Sequence, residues 1–155
     1  MKFVQIVILL LIAAVSGAQI LAGAVVAPVI FNANSFLGGE FLSKAQSGVL
    51  MTSVFAKLSY AIFATALLAV LFELKAVLLK EKLSLKCLVL SLIWLGLAAT
   101  FLFYFVDVIN EAMQLQQTQN EQFEATHKSS EKLFAVLLVT QVIYFYFFCS
   151  RFKNA

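Results

Sequence analysis

The chain predicts an all-α integral membrane protein: a four-helix bundle with both termini on the cytoplasmic side and a helical polar extension between helices three and four. Three observations predict it. They are four long apolar stretches in 155 residues, short charged or polar joints between them, and a concentration of lysines in alternate joints. A composition of 63% hydrophobic and 12% charged residues lies outside the range of soluble domains. The length supports one four-span domain over residues 1–155.

The spans are expected at about residues 3–31, 47–72, 87–110 and 131–150. Phe3 to Gly39 holds no ionisable side chain, Cys87 to Val106 gives 20 uncharged residues and Leu133 to Ser150 gives 18. Each is long enough to cross about 30 Å of hydrocarbon at ~1.5 Å per residue. The second span carries one charge, Lys57, which neighbouring helices or a polar cavity can receive. Met1-Lys2 and the small residues Ala13 to Ala18 imitate a secretory leader, but the apolar run continues to Phe31. The first span therefore reads as its own insertion signal. A straight helix from Phe3 to Phe31 would measure about 43 Å, so tilt or a break is expected, and Pro28 is where the helix should end or kink.

The joints differ in kind. Asn32 to Ala45 contains Gly38-Gly39 and reads as a returning loop, and Glu73 to Lys86 is short and lysine-rich. Val108 to Ser130 is long, polar and rich in Gln, Glu and Met without Gly or Pro, so the third helix is expected to project beyond the membrane. Ser129 or Ser130 is expected to cap the fourth helix, with Glu131 near its positive end.

Orientation follows from the basic residues. With the N-terminus inside, Lys2, Lys75, Lys80, Lys82, Lys86, Arg151 and Lys153 are cytoplasmic, while Lys44, Lys128 and Lys132 are outside. The net charge of +3 is thus a topology signal, and no nucleic-acid partner is expected. The lipid bilayer is the first partner, in a bacterial-type cytoplasmic membrane. Ala14, Ala18 and Ala22 recur every fourth residue beside Gly17 and Gly23, with Pro28 beyond them. Such a face is expected against the other helices, or in a homo-oligomer seam.

Polar residues within the spans are the best functional evidence, because each is costly in hydrocarbon. Gln19, Lys57, Asp107, Asn110 and Gln141 qualify, and His127 and Glu131 stand just before the fourth helix. Snorkelling would carry Lys57 toward Asp107 at the outer ends of the helices. Two readings compete. In one, Lys57 and Asp107 form a buried ion pair while Gln19 and Gln141 bond helices together. In the other, the same groups with Asn110, His127 and Glu131 line an outer-half pocket for a small polar or anionic ligand.

Catalysis finds little footing. One histidine and two cysteines, Cys87 and Cys149, on opposite sides of the membrane assemble no metal site, and no cofactor is expected. The cysteines read as reduced and packed. No phosphate loop or nucleophile elbow appears, so an enzyme is not expected.

Gly23 to Phe31 (GAVVAPVIF), Ser47-Gly48 and Val54 to Tyr60 (VFAKLSY), followed by Phe123 to Glu131 (FEATHKSSE), resemble a small four-span family of unknown function that includes transmembrane protein 205 and many bacterial members. The resemblance covers nearly the whole chain and implies a four-helix membrane bundle. It points to Pro28, Lys57, Phe123, His127 and Ser130 as positions to test, and transfers no activity. A more distant likeness to copper- and haem-handling four-span proteins is opposed by the missing histidines. The leading expectation is a non-enzymatic membrane protein that binds or passes a small polar ligand. The alternative is an accessory subunit of a larger membrane complex, and a metal, haem or redox enzyme stands third. A small-residue face left toward lipid would favour the complex subunit, and a solvated Lys57–Asp107 pocket would favour ligand handling.

Overall fold

The computed structural model describes residues 2–79, 85–115 and 121–153, and every regular element among them is helical. The first long helix, α1, runs from Lys2 to Leu21, widens into a π turn at Ala22–Val26 and closes at Ala27–Phe31. Pro28 has no N–H for the carbonyl of Ala24, and its ring crowds that carbonyl. The helix answers by loosening: the N–H of Ala27 bonds the oxygen of Ala22, five residues back. It therefore continues three residues past the proline.

A short helix, α2 (Ala33–Leu37), stops at Gly38, whose φ of 71° is the left-handed conformation that glycine adopts without penalty. Asn34 then fastens the connection, accepting from the N–H groups of Phe41 and Leu42 at 2.9 and 2.8 Å and donating to the Leu42 oxygen at 2.7 Å. Helix α3 (Lys44–Leu78) starts on a capping box: Ser43 Oγ accepts from the Gln46 N–H, and Gln46 Oε1 accepts from the Ser43 N–H.

Helix α4 runs from Leu85 to Thr100, widens at Phe101–Phe105 and ends at Val106–Gln114. Helix α5 (Glu121–Lys153) begins ten residues before the expected fourth span. Ser129 and Ser130 therefore cap nothing. They lie inside the helix and donate back to the carbonyls of Ala125 and His127 at 2.8 and 2.7 Å. The Glu- and Gln-rich segment before them has helical propensity enough to start the helix early, and the third helix stops at Gln114 rather than carrying the whole extension. Lys80 and Lys82, expected on the cytoplasmic side, lie outside the described residues.

Four helices are long and apolar enough to span a membrane: Phe3–Phe31, Lys44–Leu78, Leu85–Gln114 and Phe123–Ser150. The protein is a multi-pass integral membrane protein. The helices form a ring in which α1 packs on α3 and α5, and α4 packs on the same two. The core is built from Ile12, Ile62, Ala66, Trp94, Leu137, Tyr144 and Phe148. The outside is apolar too, with Phe3, Leu10, Leu78 and Tyr146 all exposed, as a surface that meets lipid requires.

The small-residue face is not where packing was expected. Ile8, Ile12, Val15, Gln19 and Ala22 point α1 inward at helical spacing. Ala14, Gly17, Ala18 and Gly23 therefore fall on a flank, where all four are exposed. A Cβ added at Gly17 or Gly23 would meet nothing within 4 Å. Large side chains won the core because the bundle is wide enough to need them.

A cavity at the loop end

One end of the bundle carries the start of α1, Leu78, Leu85 and the end of α5. The other, the loop end, carries α2, Ser43, Gln114 and Glu121. Charged residues mark two levels between these ends. Counting along each helix at ~1.5 Å per residue, Lys57 and Lys75 stand about 27 Å apart, Lys86 and Asp107 about 32 Å, and Glu131 and Arg151 about 30 Å. Those spacings match the ~30 Å hydrocarbon core. Cross-helix contacts hold the loop-end level in register: Phe63 meets Phe103 at 5.4 Å and Thr52 bonds Met113 at 3.5 Å, with Lys57 and Asp107 between. The loop ends of α3, α4 and α5 therefore run on past the level at which the charges set the hydrocarbon boundary.

A cavity of about 770 Å³ straddles that level. Its floor is Gln19, Phe55, Phe101, Phe134 and Leu138; its upper walls are Ala27, Phe31, Gly48, Val106, Ile109, Met113 and Phe123; and Lys44 stands toward its mouth. Both π turns face it, through Gly23 and Ala24 on one side and Phe101 on the other. Widened turns of this kind recur at functional sites, since they displace side chains that a regular helix would keep in register. Pro28 explains the first; nothing in the sequence of the second explains it.

The structure separates the expected site residues into three groups. Gln19, His127 and Glu131 line the cavity. His127 lies parallel to the Phe123 ring at 6.0 Å, and its Nε2 faces Glu131 Oε1 at 3.3 Å. Its Nδ1 is shielded and has no hydrogen-bond partner. Gln141 lies beneath: it accepts from Ser16 Oγ at 2.8 Å and donates to Gln19 Oε1 at 3.0 Å, while Gln19 Nε2 donates to the Phe134 carbonyl at 2.7 Å. This chain ties α1 to α5 directly under the floor.

Lys57, Asp107 and Asn110 form the third group, and none of them lines the cavity. Lys57 and Asp107 are exposed, and the ion pairs among the described residues are His127–Glu131 and Lys128–Glu124. Helical phase is the reason. Ser59 and Ile62 set the buried face of α3, and Val106 and Ile109 that of α4; Lys57 lies two residues before Ser59 and Asp107 two before Ile109, near the opposite side in each case.

At the other end stands a residue expected to open the lysine-rich joint after the second span. Glu73 is fully buried, and Tyr144 Oη donates to its Oε1 at 3.0 Å. Trp94 packs on Tyr144 at 5.8 Å, also fully buried, with its Nε1 unpartnered; Cys87 and Ser91 are buried on the same face of α4. The signal was present in the spacing Ser59, Ile62, Ala66, Ala69 and Glu73, which repeats one helical face. Cys149 is partly buried and, like Cys87, unbridged. Among the described residues no three His, Cys, Asp or Glu side chains gather into a group able to hold a metal.

Residues 10–118 match the family described as Domain of unknown function (DUF4149). The match spans α1 to α4, including three walls of the cavity, and ends before the Phe123 to Glu131 block. No curated protein and no solved structure matches the chain. The chain belongs to the DUF4149 family.

Proposed function

We propose that this DUF4149 member is a non-enzymatic membrane protein that binds a small amphipathic molecule in its loop-end cavity. One observation carries the reading: a cavity of about 770 Å³ lined by all four helices, apolar in its walls and provided with a few polar groups. Small-molecule sites commonly have this size and composition. The polar ligand anticipated around Lys57 and Asp107 gives way to an amphipathic one, because those two charges face outward and the walls are carbon-rich. By the distribution of Lys and Arg the loop end faces away from the cytoplasm, in a membrane of the bacterial cytoplasmic type. Likeness to transmembrane protein 205 rests on the quoted motifs. No nucleic-acid partner is proposed, because the basic residues are read as a topology signal. Binding of a fluorescent amphiphile to the detergent-purified chain tests the proposal. Saturation at one per chain, lost in Leu138→Trp, supports it; unsaturable partitioning unchanged by that substitution sinks it.

A second reading, a subunit of a larger complex or homo-oligomer, is favoured by the lipid-facing Ala14, Gly17 and Ala18. Small residues allow close helix approach. Gly17→Leu should then shift the chain to a smaller species in cross-linking from membranes, whereas an unchanged ladder removes this reading.

A further inference from the structure

Resting on the reading just given, we propose that the cavity's ligand is a single-chain anionic amphiphile, entering sideways from the bilayer and held partly above it with its head at Lys44. Three observations converge on this.

Size decides the number of chains. A cavity of ~150 Å³ accommodates one benzene, so about 770 Å³ has room for about five such bodies. One acyl chain with its head fills that space, and two chains with a head exceed it. The cavity's length agrees: Phe101 to Met113 and Phe123 to Leu138 each span roughly 20 Å of helix, a shape for one extended chain.

Position decides the source. The floor residues Phe101 and Leu138 lie about 10 Å inside the level of Asp107 and Glu131, and the upper walls rise a similar distance beyond it. An apolar slot that begins in hydrocarbon and continues past it offers a chain a path out of the leaflet. The entrance is lateral. Helix α1 contacts α5 through Lys2–Leu21, whereas Ala27–Phe31 pack on α3, so α1 and α5 part above Gln19. Ile20, Gly23 and Ala24 border that gap on one side and Ala135 on the other, and all four are exposed.

Charge decides the head. Lys44 is the one cation among the lining residues and sits on the first turn of α3, whose dipole is positive there. Glu131, the one lining carboxylate, is mostly exposed and already faces His127. A carboxylate or phosphate head satisfies Lys44 and leaves the apolar walls to the chain.

Native mass spectrometry of the full chain released from micelles tests this with oleate, monooleoyl phosphatidate, oleyl alcohol and dioleoyl phosphatidate as probes. Expected are one-to-one adducts of oleate or monooleoyl phosphatidate, about tenfold tighter than the alcohol, since charge-assisted hydrogen bonds are the strong ones. Whichever binds better identifies the head as carboxylate or phosphate. Lys44→Gln should erase the advantage over the alcohol, and Gly23→Phe, where an added side chain meets no backbone, should weaken every adduct. Equal binding of oleate and oleyl alcohol, or full occupancy by the two-chain lipid, overturns the inference while leaving an amphiphile site. Absence of a saturable adduct with all four probes removes the underlying reading as well.

Discussion

The two ends of this bundle spend the same residue types on opposite tasks. At the terminal end, Trp94, Tyr144 and Phe148 fill the centre of the bundle, leaving a smaller hollow of about 330 Å³ on the α1–α3 side, and even the carboxylate of Glu73 is buried against Tyr144. At the loop end, Phe55, Phe101 and Phe134 meet one another at 4.9 and 5.1 Å, yet they form the floor of a cavity. The difference coincides with the backbone: α1 and α4 each contain a π turn at the level where the cavity begins. Packing quality here tracks helix geometry, since aromatic content is high at both ends.

That contrast predicts unequal costs for equal truncations. Trp94→Ala removes a fully buried side chain from a closed core, and about 3–5 kcal/mol of stability should be lost, as for large-to-small changes elsewhere. Ile109→Ala enlarges a void that already exists, so about 2 kcal/mol is expected, the transfer part of three carbons at ~0.8 kcal/mol each without a new cavity. Thermal unfolding in detergent followed by circular dichroism compares the two directly. Similar losses would mean that the loop end is filled in solution and that the two ends do not differ in packing.

A smaller effect probes the buried polar group of the closed end. Tyr144→Phe keeps the ring contacts with Trp94 and Phe148 and deletes one hydrogen bond to Glu73. About 1–2 kcal/mol should be lost, in the range for leaving a buried acceptor one donor short. A loss nearer that of Trp94→Ala would show Glu73 to be the organising group of the terminal end, with the aromatic packing secondary to it.

The four spans were legible because hydrocarbon demands long apolar runs, and that demand is written residue by residue. Their ends were less so. The fourth helix begins at Glu121 because the polar residues before Glu131 are helix formers, and hydropathy is blind to helix that continues into water. The cavity's place, at the loop end with His127 and Glu131, could be drawn from the clustering of polar residues there. Its walls could not, because they are Phe, Met, Val and Ile, types that also face lipid in this chain. Phase was the missing quantity for Lys57, Asp107 and Glu73. In a helix apolar all round, periodicity carries little signal, and only the sparse polar positions report it: Ser59 and Thr65 together with Glu73 mark one buried face, and Lys57 stands off it. The same ambiguity misplaced Ala14 and Gly17, since small residues permit packing without requiring it.

The smallest predicted effect sharpens the comparison most, because it concerns the residue the sequence made most suspicious. Lys57 is exposed, and none of the ion pairs among the described residues includes it. A buried pair broken at one partner costs about 3–5 kcal/mol, because the other charge is stranded. A lysine at the hydrocarbon boundary strands nothing when it is lost, since its ammonium reaches the head-group level along its own stem. Lys57→Leu is therefore expected to fold, to insert with the same topology and to move the unfolding midpoint by no more than about 0.5 kcal/mol, as surface changes do. Asp107→Asn should behave alike, and the double substitution should equal the sum of the two. A coupling between them of more than about 1 kcal/mol would place the charges in contact and bring the loop end under the same rule of paired burial as the terminal end. Additivity would leave Lys57 as a marker of where the membrane stops, with the cavity beginning beside it and owing nothing to its charge.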